Sequence, residues 1–433
     1  FFSSEIKSLN KLTCFNDDLD FQSIWDLPTF LWVPEPNTIY KKVKSVENGF
    51  VMEITEKKIE KFKIKCNFLS DFSKLKDVSD FKYATKKTVE HSIKTKLMSD
   101  VNVGSFLSGG LDSNIVASVA SKFLKKIDTY TIAFPELVDF YGGTTNEAKD
   151  AELTAKKIGS NHHTINVSAR DFKEKLNDFA YYYDQPTGVS SALGIMFVAE
   201  AAQNNKTKVL LSGDGSDECF GGYNWYKFLG LFDKNKNLNK NDITMHSINL
   251  DEHKKFKSIF SNNVNNISYA LHYYGSEIDK KNIFSRQILD AKIDSRLIFS
   301  KQKKIKKPID FIQNDRSFYL KNEMLTKVDR MTMAKSVESR CPFVSPDILN
   351  LSEKIPYKYM FKDNKLKWIL REAFKEILTP EIVNRPKHGF NVPIDHWLKN
   401  EWKDLVDETF ENSSELVKRN IIKKNSLKVI NKM

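Results

Sequence analysis

Residues 103–122 read VGSFLSGGLDSNIVASVASK, an apolar strand that runs into Ser108-Gly109-Gly110 and gives way to an amphipathic helix beginning near Leu111-Asp112-Ser113. Strand, glycine turn and helix in this order form the unit from which parallel α/β sheets are assembled. Gly109 and Gly110 permit conformations closed to other residues and let backbone N–H groups come close to an anion. The helix that follows turns its positive end to the same place. Ser108 and Ser113 add hydroxyl donors, whereas Asp112 would repel a bare phosphate and makes sense chiefly as a magnesium ligand. Together these residues describe a cradle for pyrophosphate. Two other phosphate loops are excluded: Gly104 and Gly109 have the spacing of a P-loop, but Gly110 and Leu111 stand where Lys and Ser/Thr are required, and the segment contains no G-x-G-x-x-G.

The surrounding sequence repeats the same exchange. A helix capped near Ser79-Asp80 carries Phe81, Ala84, Val89, Ile93 and Leu97 on one face and leads to a strand over 101–107. Helices near 115–124, 151–158 and 194–203 then alternate with strands at 129–134, 163–167 and 208–211, which predicts a doubly wound parallel sheet covered on both faces. Residues 1–67 have the texture of small β-structure, with strands at 38–43, 51–54 and 62–64 and a turn near Gly49. From Asp310 the apolar spacing is again helical, punctuated by prolines. Residues 229–307 show no dominant period and no assignable chemistry.

Composition removes several functions. The chain has 433 residues, enough for two or three domains, and 40% of them are hydrophobic. No uncharged apolar run approaches the roughly 20 residues of a membrane span. Cys14, Cys66, Cys219 and Cys341 lie too far apart to suggest a disulfide framework or a zinc ribbon, so a reducing, cytoplasmic setting is expected. The net charge of +12 reflects a general abundance of Lys. Its densest run, KQKKIKKP at 301–308, has no aromatic residue for base stacking, so it reads as a solvated surface and not as a nucleic-acid site.

A second loop lies at 211–223, LSGDGSDECFGGY, where Asp214, Asp217 and Glu218 sit among four glycines after the strand at 208–211. An EF-hand is excluded because Cys219 stands where the turn glycine is needed. Further on, 325–344 read LTKVDRMTMAKSVESRCPFV and 385–398 read RPKHGFNVPIDHWL. The SGGLDS loop resembles the pyrophosphate loop of the ATP pyrophosphatases, which split ATP between the α- and β-phosphates. The second loop resembles the S-G-E/D-G-S/G-D-E-x-F-G-G-Y signature of the asparagine synthetase branch, and both later segments are similar to motifs of that branch. The resemblance covers most of 79–398.

It implies an adenine nucleotide α-hydrolase-like sheet with a helical C-terminal part. ATP and pyrophosphate would be contacted by Leu107, Ser108, Gly109, Gly110, Leu111, Asp112, Ser113, Ile132, Ser212, Gly213 and Lys387, and Mg2+ would be held by Asp112 and Asp217. Lys387 would stabilise transition-state charge, and Asp214 would serve as the acid/base group. Arg330 and Arg340 read either as site residues or as ion-pair partners of Asp329 and Glu338. His162-His163 matches a family pattern before a short strand and is not expected to hold a metal. The segment from Tyr183-Asp184-Gln185-Pro186 to Ser190-Ser191 resembles the part near the amino-acid substrate, but Gly188-Val189 departs from the polar residues expected there for aspartate.

Residues 1–68 resemble the β-rich end of an Ntn-type glutaminase domain and 69–433 the synthetase domain. With no N-terminal Cys, the chain is expected to lack glutamine hydrolysis and to be a fragment of a longer protein. The implied reaction converts aspartate to asparagine through a β-aspartyl-adenylate, releasing AMP and pyrophosphate, with ammonia drawn from glutamine. A homodimer is compatible with this reading. Competing readings keep the loop and change the role: another carboxylate acceptor on a sugar, peptide or antibiotic precursor, a tRNA-modifying enzyme, or a nucleotide-binding remnant.

Overall fold

The leading segment folds as a short helix α1 (Ile6–Leu9), a ten-residue helix α2 (Phe21–Phe30) and an antiparallel hairpin of β1 (Phe50–Ile54) and β2 (Ile59–Lys63). Asp20 caps α2 by accepting from the Ser23 N–H, and Leu31 ends it in the left-handed conformation at φ 70°. The expected strand at 38–43 does not form; only isolated bridges join Asn37 to Lys44 and Leu19 to Tyr40. The Thr38 hydroxyl explains this, since it donates to the Val43 carbonyl at 2.8 Å and accepts from the Tyr40 N–H at 3.2 Å, a local closure that competes with a ladder. The segment is therefore mixed helix and hairpin and not β-rich throughout. The computed structural model describes residues 1–68, 70–134, 147–227, 274–275, 277–291, 293–295, 298, 302–386 and 392–430.

The remaining elements follow the expected alternation closely. Helix α3 (Val78–Lys96) is capped by Asp77, two residues before the expected Ser79, because Asp77 accepts from the Ser79 and Asp80 N–H groups and Asp80 closes a capping box from N3. It leads through β3 (Val103–Phe106), α4 (Leu111–Ala120), β4 (Asp128–Ala133), α5 (Ala148–Ile158), β5 (Asn161–Asn166), the helix Ser190–Asn204 and β6 (Val209–Leu211). A fifth strand, β7 (Glu338–Arg340), was not legible as one: its three polar residues carry no apolar alternation. Pairing with β6 places it, Val209 opposite Glu338 and Leu211 opposite Arg340. Before it, a π-helical stretch Arg316–Leu325 joins the helices Pro308–Asp315 and Thr326–Met333.

The five strands are parallel in the order β5-β4-β3-β6-β7. The chain winds outward from β3 to β5 and then returns to lay β6 on the other side of β3. The switch point therefore falls between β3 and β6, and the loops after both strands emerge side by side, where sheets of this kind bind ligands. Adjacent residues of β6 show that both faces are covered. Leu211 packs with Ile115, Val119 and Phe343, whereas Leu210 packs with Met196, Val328 and Trp397.

The leading segment is fastened to the rest. Phe30 and Trp32 lie in the same apolar cluster as Phe318 and Tyr319, and Trp25 stacks near Phe284. Lys280, almost wholly buried, bonds to Thr29 at 2.7 Å, Glu277 at 2.6 Å and Ser295 at 2.9 Å. Burial pushes the neighbouring Asp26 up to about 6 against the opposing pull of Ser295 and Gln22. Among the described residues no helix is long and apolar enough to cross a membrane.

Candidate active site

The loop after β3 is held by its own side chains. Ser113 Oγ accepts from the Ser108 N–H and Ser108 Oγ from the Gly110 N–H, both at 3.0 Å, while the Asn114 amide donates to the Ser108 and Gly110 carbonyls. Gly110 is the N-cap residue of α4 and has no side chain to satisfy the free N–H groups of the first turn, so the positive end of the helix stays available. One amide already carries an anion: the Gly109 N–H donates to the Glu147 carboxylate at 3.2 Å. Arg385 closes the other side, donating to the Gly109 carbonyl and pairing with Asp150.

The loop after β6 meets it directly. A Cβ placed on Gly213 would stand 2.9 Å from Asp112 Cβ and 3.1 Å from the Ser113 nitrogen, so only glycine admits this approach. Ser216 Oγ donates to Asp112 at 2.8 Å. Asp112 and Asp217 then converge on one cation, the ammonium of Lys367, at 2.5 and 2.6 Å. Lys367 is nearly buried and adopts a left-handed backbone at φ 54°, uncommon for a residue with a long side chain. Gly222 makes room for it, since a methyl there would overlap both Asp217 Oδ1 and Lys367 Cε. Gly110, Leu111, Asp112, Glu147, Gly222, Leu366, Lys367, Arg371, Arg385 and Pro386 line a single pocket.

Charge in this region is uneven. Glu218 is fully buried and its carboxyl is pushed up, to about 8, first by burial and then by Asp217 beside it. It accepts from the Tyr223 hydroxyl at 2.8 Å, and its Oε2 has no hydrogen-bond partner among the described residues. Arg371, also buried, donates to the Leu366 and Val383 carbonyls and faces Asp112 and Asp217 without bonding to either. Two carboxylates and adjacent phosphate donors suit a magnesium ion, which characteristically takes one or two carboxylates and completes its shell with phosphates and water.

The structure brings together Ser108, Gly109, Gly110, Leu111, Asp112, Ser113, Gly213 and Asp217. It sets others apart. Leu107 packs with Ala117, Ala151 and Ala155, and Ile132 packs with Tyr130 and Phe134, so neither side chain lines the pocket and only their backbones are available. Asp214 accepts from the Ser212 hydroxyl and is not among the residues lining the pocket. Lys387 lies outside the described residues. Arg340 is a structural ion pair, bound through two nitrogens to Glu338 at 2.8 and 2.9 Å. Arg330 reaches Asp184, not Asp329. His162 and His163 hydrogen-bond to Thr129 and Asp128 on the neighbouring strand. Gly188 and Val189 serve packing: the Gly188 N–H donates to the Leu31 carbonyl, its Cα abuts the Leu31 side chain, and Val189 is in the main core.

Sequence reasoning missed Lys367, Arg371 and Glu147. Two cations at i and i+4 at the start of a helix oppose both each other and the helix dipole, and that local inconsistency was the one available signal.

A family model described as Asparagine synthase matches residues 84–430. Glutamine-hydrolyzing asparagine synthetase 1 of Bacillus subtilis is 30% identical over 95% of this chain and 65% of its own length. A putative glutamine-hydrolyzing asparagine synthetase of Mycobacterium bovis is 29% identical over 90% of this chain and 61% of its own. The chain thus spans somewhat less than two thirds of these relatives.

Proposed function

The chain belongs to the asparagine synthase family, and on that premise we propose that it is a carbon–nitrogen ligase making asparagine from aspartate, ATP and ammonia derived from glutamine. A carboxylate is a poor electrophile for an amine because it offers no adequate leaving group, so it must first be activated. In this reading the aspartate side-chain carboxylate attacks the α-phosphorus of ATP, the bond to the α–β bridging oxygen breaks, and pyrophosphate leaves a β-aspartyl-adenylate behind.

The Gly109 N–H and the positive end of α4 receive the departing pyrophosphate, which takes the place Glu147 holds on Gly109. Asp112 and Asp217 would hold Mg2+, which when bound neutralises charge gathering on the phosphates. Lys387 would add an ammonium to the same charge. Ammonia then attacks the acyl carbon, AMP departs, and Asp214, fixed by Ser212, takes a proton from the incoming amine.

The observation that supports this most is the meeting of Asp112 and Asp217, from separate loops, on a single cation at the switch point of the sheet. The test is release of pyrophosphate and AMP from MgATP, with aspartate present or omitted and with ammonium or glutamine as nitrogen source. Aspartate-dependent release yielding asparagine with ammonium is the expected outcome. A folded sample that binds ATP but shows no aspartate dependence would remove aspartate as the acceptor.

A further inference from the structure

Lys367 occupies an unusual place for a lysine. Its side chain is 3% exposed, its backbone is left-handed, and its ammonium touches Asp112 and Asp217 at 2.5 and 2.6 Å. The two oxygens it touches belong to the pair of carboxylates that suit a divalent ion. Magnesium binds oxygen at roughly 2.0–2.1 Å. An ion that close to both oxygens would lie against the ammonium, and two like charges in contact in a nearly buried site repel strongly. Lysine and metal therefore cannot share these two oxygens in this arrangement.

A nucleotide changes the balance. Its phosphates bring several negative charges to the mouth of the same pocket, beside Gly110, Arg371 and Arg385. They give the ammonium a second set of acceptors within reach of a flexible four-carbon stem. Gly222, with no side chain, leaves the space the lysine stem fills in the nucleotide-free state.

Resting on the nucleotide reading above, we propose that Lys367 is a counter-ion gate: it neutralises Asp112 and Asp217 while no nucleotide is bound, excludes free divalent metal, and moves onto the phosphates when nucleotide and metal arrive together. Metal binding is then conditional on nucleotide. The same exchange in reverse would return the ammonium to the carboxylates as pyrophosphate and its metal leave.

Manganese, read by electron paramagnetic resonance, tests this on the full chain without turnover, with and without α,β-methylene-ATP, which cannot be split at the reacting bond. The wild-type protein should bind Mn2+ weakly alone and much more tightly with the analogue. Lys367→Met should bind Mn2+ alone at least about tenfold more tightly than wild type, with most of the nucleotide dependence lost. Lys367→Arg, which keeps the charge, should behave as wild type. Arg385→Gln removes a positive charge from the same pocket without touching either carboxylate and should shift nucleotide-free affinity by less than about threefold, separating a contact from a general field. If Lys367→Met does not fold, Lys367→Gln provides the same comparison.

Equal nucleotide-free Mn2+ affinity in wild type and the neutral variants overturns the gate, as does an effect of equal size in Arg385→Gln. Failure of the wild-type protein to bind the analogue, measured separately by calorimetry, would instead count against the nucleotide reading.

Discussion

Replacing Gly213 by Ala should injure chemistry and stability together. The added methyl would meet Asp112 Cβ at 2.9 Å, the Ser113 nitrogen at 3.1 Å and the Asp112 carbonyl carbon at 3.2 Å. Carbon atoms in contact prefer about 3.5–4.0 Å, so the two loops must part by roughly 0.5–1 Å. Two of the three obstacles are backbone, which no rotamer change can remove. Gly213 is not in the left-handed region, so the penalty is steric crowding and not φ strain. Overpacking of this kind costs about 1–3 kcal/mol, read from urea unfolding. The parting moves Asp112 away from Asp217, and a displacement of about 1 Å in a positioned site can cost on the order of 100-fold in rate. Aspartate-dependent pyrophosphate release should fall by about 10- to 100-fold. Gly104→Ala supplies the contrast: its methyl would press on the Asp128 carbonyl at 2.8 Å within the sheet, lowering stability while the rate of the folded fraction is kept. Wild-type turnover and stability in Gly213→Ala would refute the claim that the two loops touch in the working protein.

Glu218→Gln should flatten the pH dependence of stability. The folded carboxyl titrates near 8 against 4.5 when unfolded, so the folded state alone holds the proton between those values and stability falls as pH rises through that window. This group contributes a slope of up to about 1.4 kcal/mol per pH unit. The neutral variant lacks it, and urea titrations at pH 5 and pH 8 should differ less than in wild type. Glu147→Gln should tighten pyrophosphate binding several-fold in calorimetry, because a charged competitor leaves the Gly109 N–H. Unchanged affinity would mean that the pyrophosphate does not use that amide. Lys280→Met should destabilise by about 3–5 kcal/mol, since it strands Glu277 and Asp26 without their buried cation. Early proteolytic cleavage before Leu31 would mark the release of α2, and wild-type protection would contradict the fastening of the leading segment through Lys280.

How much could be read beforehand differs from element to element. The strands β3, β4 and β6 and the helices between them were legible because their apolar periods are long and are bounded by glycine, Asp or Ser signals. The three-residue β7 was not, because it is polar and exists only as a partner for β6. The strand expected at 38–43 failed because one threonine hydroxyl satisfies the local backbone better than a ladder would. Gly188-Val189 looked like a departure in a substrate segment and is instead the seat of Leu31, a contact across distant parts of the chain.

The site divides in the same way. The glycine loop, its hydroxyls, the positive end of α4 and the two carboxylates, Asp112 and Asp217, are local features, encoded by residues adjacent in the chain, so the sequence alone determined them. What stands opposite those carboxylates was decided by folding. Lys367 is one lysine among many along the chain, and its spacing from Arg371 is all that sets it apart from Lys365. Only the packing of the helix Trp368–Phe374 against α3, with Gly222 leaving space for the stem, brings its ammonium between Asp112 and Asp217. A counter-ion is chosen by distance through space, and distance through space is set by the tertiary structure.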